Sequence, residues 1–127
     1  MLSLSLILAS AAYAHADTDA LSNARAQAQA QETRLTLESQ LVVIADRDIH
    51  TARIEQDTAQ HQIERAKTTH DDKQLVYWSH RMESAHAEEA DAFGRYETHV
   101  GQREDARKQF RVASADVRRI EAREARR

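Results

Sequence analysis

Apolar residues recur along this chain at alternating spacings of three and four. From Leu21 the series runs Ala24, Ala28, Gln31, Leu35, Glu38, Val42, Ala45, Ile49, Ala52, Gln56, Ala59, Ile63 and Ala66. With Leu21 as position a of a heptad, the a positions are mostly aliphatic and the d positions mostly alanine, which is a helical seam. After Ala66 the pattern fails. The next two seam positions would be His70 and Lys73, both poor core residues. The series restarts at Leu75 and continues through Trp78, Met82, Ala85, Glu89, Ala92, Tyr96, His99, Arg103, Ala106, Phe110, Ala113, Val117 and Ile120. The interruption, residues 67–74, holds two threonines and two aspartates, whose side chains compete for backbone groups and favour caps over helix interiors. Asp71 with Gln74, or Thr69 with Asp72, fits a capping box for a second helix. No glycine is present there to close the first helix. The pattern predicts an all-α fold: a long two-helix antiparallel coiled-coil hairpin with its tip near residues 67–74.

Folding the chain so that Ala66 faces Leu75 pairs positions whose numbers sum to 141. Ile63 then lies level with Trp78, Ala59 with Met82, Gln56 with Ala85, Ile49 with Ala92, Ala45 with Tyr96 and Gln31 with Phe110. Large residues mostly meet small ones, which fills a seam at constant helix spacing. The acidic seam position Glu38 meets the basic one, Arg103, so a Glu38–Arg103 pair is expected to fix the register. Two alternatives remain. Gly94 and Gly101 repeat one outer-face position and each disfavours helix, so the chain could be three helices broken near 94–101. It could also be one continuous helix within a coiled-coil oligomer.

Composition adds that the core must be thin. Aromatic residues make up 5% of the chain and charged residues 31%, with two glycines and no proline. Unbroken helices are permitted everywhere, but little area is available to bury per residue. Apolar residues off the seam therefore stand out. Leu41, Val43, Ile44, Phe93 and Val100 form a candidate interaction patch midway along the arms, Leu41 being level with Val100. Val76, Tyr77 and Trp78 form a second near the tip. A protein partner or a homo-oligomer is expected.

Residues 1–16 differ from the rest. Leu2 to Ala12 is apolar or small, no residue of the segment is charged, and Ala12, Ala14 and Ala16 fit the small-residue rule for signal peptidase. The expected organisation is a signal peptide at 1–16 and a single helical domain at 17–127, opened by the capping residues Asp17, Thr18 and Asp19. The apolar run is too short for a stable transmembrane anchor. The expected location is periplasmic or secreted, or cytoplasmic if the segment is not a cleaved signal. The net charge of −3 argues against nucleic acid as a partner, although residues 101–127 hold nine bases against five acids. Arg118, Arg119, Arg123, Arg126 and Arg127 make a basic end, suited to a helix C-terminus by the macrodipole.

Little catalytic chemistry is written here. There is no cysteine, and no phosphate loop, nucleophile or zinc spacing occurs. Seven histidines invite a metal reading, and Glu83-Ser84-Ala85-His86 with Glu89 one turn on has one half of a di-iron bundle motif. No second copy of the motif exists, so neither a metal, a cofactor, catalytic residues nor a small-molecule substrate is expected. In length, hairpin patterning and the midchain Tyr77-Trp78, residues 20–125 resemble the short helical-hairpin stalk proteins of type III secretion systems. In helical architecture the chain also resembles periplasmic holdase chaperones, though without their β-rich body. No motif carries either resemblance, so no functional residue is transferred. The reading is a non-enzymatic, exported scaffold, adaptor or holdase-like protein of the bacterial cell envelope. The alternative is a cytosolic hairpin stalk or adaptor of a type III-like secretion apparatus.

Overall fold

The computed structural model describes the backbone of residues 4–126 and the side chains of residues 19–126. The expected signal segment, residues 1–16, lies outside the residues whose side chains are described. Two helices account for the fold: α1, Leu4–Thr69, and α2, Asp72–Glu124, with no strand among the described residues. The hairpin read from the pattern is what forms. Two expectations are corrected. α2 passes through Gly94 and Gly101 without a break, so the three-helix alternative falls, and the turn at residue 70 removes the single-helix alternative. Helix α1 also runs through Asp17–Asp19 instead of beginning there.

The turn is made by two residues, His70 and Asp71. His70 adopts a left-handed backbone with φ of 50°. Its N–H reaches the Lys67 carbonyl at 3.4 Å, and the Asp71 N–H reaches the Ala66 carbonyl at 2.9 Å. This is a Schellman closure with His70 in the place usually held by glycine. Asp71 then caps α2: its Oδ1 accepts from the Gln74 N–H at 3.1 Å, and its carbonyl takes the first helical bond, from Leu75, at 2.9 Å. Only this half of the capping box is made. The Gln74 side chain instead accepts a hydrogen bond from Trp78 Nε1 at 3.1 Å. A β-carbon in left-handed geometry costs about 1 kcal/mol, so His70→Gly is expected to raise the unfolding free energy by about that amount in chemical denaturation.

Two compact units divide the chain. One is Glu38–Gln102; the other is the chain up to Leu37 together with Arg103 onward. In the first, Val42, Ala45, Ile49, Ala52, Ala59 and Ala66 of α1 are buried with Ala85 and Ala92 of α2. Ile63, Trp78, Met82 and Tyr96 are half-buried around them. In the second, Leu21 and Ala24 are buried with Ala106 and Ala113, and Phe110, Val117 and Ile120 are half-buried. Every seam position from Leu21 to Ile120 is buried or half-buried, and no large side chain is fully enclosed. Within each unit the core is a narrow line of alanine and aliphatic residues.

Polar bonds across the helices fix the antiparallel direction. In the first unit Arg81 meets Glu55 at 2.9 Å, Arg53 meets Glu89 at 2.6 Å and Arg95 meets Asp48 at 3.1 Å. Gln56 and Ala85, expected to lie level, are joined directly by a 3.4 Å bond from Gln56 Nε2 to the Ala85 carbonyl. In the second unit Arg34 donates to Gln109 at 3.1 Å and Arg25 pairs with Glu121 at 2.8 Å. A β-carbon placed on Gly94 or Gly101 would meet nothing within 4 Å. With space available, Gly94→Ala and Gly101→Ala should each stabilise the helix by about 1 kcal/mol, raising the melting temperature. No helix among the described residues is long and apolar enough to cross a membrane.

Candidate interaction surfaces

The most enclosed charge is Glu38. Its Oε2 lies 2.8 Å from His99 Nδ1, with 11% of the Glu38 side chain and 22% of the His99 side chain exposed. With the Gln102 amide nitrogen turned inward, that group also donates to both Glu38 oxygens, at 3.1 and 3.2 Å. The partners of Glu38 are therefore His99 and Gln102, in place of the expected Arg103. Arg103 is half-buried, and its Nε has no hydrogen-bond partner. A side chain entering a helical seam sits among about four residues of the facing helix, not opposite one. Level numbering therefore named only one of several reachable donors.

Glu89, considered above as a metal ligand, is occupied otherwise. Gln56 Nε2 donates to it at 2.7 Å and Arg53 Nε at 2.6 Å. The Gln56 bond first, then the Arg53 bond and charge, hold its carboxyl below the usual value of 4.5 against an opposing push from desolvation. Because the folded value is depressed, the stabilisation is present above 4.5 and is lost as pH falls from there through the folded value. Removing the charge should show this. The stability deficit of Glu89→Gln against the parent, measured by denaturant titration, should be constant above about pH 5.5 and shrink as pH falls below 4.5. Glu83 Oε2 lies 3.6 Å from His80 Nδ1. Among the described residues no three of His, Cys, Asp and Glu gather closely enough to hold a metal ion.

The midchain apolar residues divide between two flanks. Leu41 precedes the seam residue Val42, as Asp48 precedes Ile49 and Glu55 precedes Gln56; Asp48 and Glu55 bond Arg95 and Arg81 across the seam. Leu41 and its neighbour Ile44 thus share the flank that carries these ion pairs. Phe93 and Val100 follow the seam residues Ala92 and His99 by one position, which puts them on the other side of the α2 stripe. Val43 turns to that second side. Leu41 and Val100 are level but do not form one patch. Val43 is 68% exposed, Phe93 47% and Ile44 44%, whereas Leu41 and Val100 are half-buried. Phe93 stacks on Tyr96 with ring centroids 6.4 Å apart. Leu37, Ile54 and Val112 are exposed as well. All three fall at outer positions of the heptad, a signal that was available in the sequence.

At the tip, Val76 and Tyr77 are exposed and Trp78 is half-buried, its ring edge-to-face with Tyr77 at 5.1 Å. At the opposite end of α2, Arg118, Arg119, Arg123 and Arg126 are all exposed, and Arg119 pairs with Asp116 at 2.8 Å. Arg127 lies outside the described residues. A groove of about 490 Å³ runs beside Val112, lined by Gln27, Gln31, Lys108 and Ala113 among others. The Gln31 Oε1 is buried without a hydrogen-bond partner. No family model, curated protein or solved structure matches the chain.

Proposed function

We propose that this chain is an exported, non-enzymatic coiled-coil scaffold, adaptor or holdase-like protein of the bacterial cell envelope. One observation carries the reading: large apolar side chains, Val43, Ile44, Phe93, Val76 and Tyr77, stand exposed on a body whose buried positions are all spent on one seam. A contiguous exposed apolar patch, as Val76 and Tyr77 begin at the tip, marks contact with another macromolecule. Two long helices with no internal break hold such contacts at fixed spacing, which is what a spacer or client-holding element requires. Export rests on the uncharged, alanine-terminated segment at residues 1–16.

The test is intact mass and cell fractionation of the chain expressed in a bacterium with a periplasm. Loss of residues 1–16 and recovery in the periplasm are expected. A full-length chain retained in the cytoplasm would overturn export and favour a hairpin stalk or adaptor of a secretion apparatus, for which the tip residues Val76, Tyr77 and Trp78 would be the contact.

A further inference from the structure

The two flanks of the Glu38–Gln102 unit are built differently. On the first, Asp48 and Glu55 of α1 pair with Arg95 and Arg81 of α2. On the second, the antiparallel register sets Val43 level with Thr98 and Asp46 level with Arg95. Val43, Asp46, Phe93 and Glu97 are therefore spread over only about 8 Å along the helix axes. No ion pair joins the helices there. Asp46 has His50 alone, at 3.9 Å, and Glu97 has no ion-pair partner among the described residues. The nearby cations are committed or turned away. Arg95 is held by Asp48 and Asp91, Arg53 is held by Glu89 nearer the tip, and Arg47 occupies the outermost position of α1.

Apolar side chains stand beside these acids. Val43 is 68% exposed and Phe93 47%. Tyr96 stacks on Phe93 with the ring planes 26° apart, which covers one face of that ring and leaves the other to solvent. A β-carbon on Gly94, next to Phe93, would meet nothing within 4 Å, so the backbone of a partner can come close. The charge of the whole unit selects the partner. Residues 38–102 hold thirteen acids and seven bases, a net of −6. An acidic segment would be repelled over a range of about 8–10 Å at physiological salt. A purely apolar one would bury Asp46 and Glu97 without a counter-charge.

We infer that this flank docks a basic amphipathic segment of another protein, its Lys or Arg side chains on Asp46 and Glu97 and its apolar side chains over Val43 and Phe93. The inference rests on the contact-making part of the scaffold reading, for which it names the chemistry of the partner, and it needs no export.

The test is fluorescence anisotropy with a labelled synthetic peptide of about 18 residues, leucine along one helical face and arginine on both of its borders. The full chain should bind it with a dissociation constant below about 100 µM in low salt. That constant should rise about tenfold or more between about 50 mM and about 500 mM salt, as the charges are screened. Glu97→Arg should weaken binding about tenfold. Glu88→Arg makes the same charge change on the first flank, midway between Arg81 and Arg95, and should weaken it less than about twofold. Val43→Ser with Phe93→Ser should weaken it about tenfold while circular dichroism shows helicity kept, since both residues are exposed. A peptide with glutamate in place of arginine should bind only the chain carrying Asp46→Arg with Glu97→Arg. No binding at about 100 µM, binding of the glutamate peptide by the parent chain, or equal losses from Glu97→Arg and Glu88→Arg would overturn the inference. So would a dimer in sedimentation equilibrium that excludes the peptide, which would make a second copy the occupant. Recovery in the periplasm without peptide binding would overturn this inference and leave export standing; peptide binding by a chain retained in the cytoplasm would do the reverse.

Discussion

Ile49→Ala is expected to lower the unfolding free energy by about 3 kcal/mol and the melting temperature by about 15 °C. Ile49 is buried at an a position of α1, and the register sets it level with Ala92. The cost of a large-to-small change depends on how far the surroundings can collapse into the space left. Here the neighbours along the seam, Ala45, Ala52 and Ala92, are too short to fill it. The same deletion at Ile54, which is 66% exposed at an outer heptad position, should cost well under 1 kcal/mol. Thermal and denaturant unfolding of the two variants test whether stability resides in a single narrow line of contacts. Equal effects at positions 49 and 54 would refute it.

His99→Ala is expected to cost about 2 to 3 kcal/mol. The change leaves the buried Glu38 carboxylate with Gln102 as its remaining donor. Half of an enclosed polar pair is worse than none, because the remaining charge keeps its desolvation cost without its partner. The double change Glu38→Leu with His99→Leu should therefore recover most of the loss, or exceed the parent in stability. A double-mutant cycle over positions 38 and 99 gives the coupling directly. Coupling below about 0.5 kcal/mol would mean the pair is solvated and contributes little.

The long-range architecture was legible because the sequence repeats one physical instruction many times. All fourteen seam positions from Leu21 to Ala66, and all fourteen from Leu75 to Ile120, are buried or half-buried in the fold. A single misplaced residue cannot shift such a register. The turn was legible as an interruption, and Asp71 as a cap. The left-handed histidine was not, because residue type alone rarely assigns that geometry to His70 when glycine is absent. Local choices among side chains were less readable. Glu38 could reach several donors within one turn, and charge sign favoured Arg103 where geometry gave His99 and Gln102. The patch joining Leu41 to Val100 was misread for a related reason. Matching levels along two helices says nothing about which side of the seam each side chain occupies.

The account rests on the chain reversing at His70 and returning antiparallel along α1. Spin labels at Arg25→Cys and Glu121→Cys test it most directly, since these residues form a 2.8 Å ion pair across 96 positions of sequence. Diluted with excess unlabelled chain so that only labels within one copy are measured, they should lie within about 25 Å of each other, given helix axes about 8–10 Å apart. A continuous helix would separate them by about 140 Å, and a distance distribution with no population below about 40 Å would contradict the hairpin.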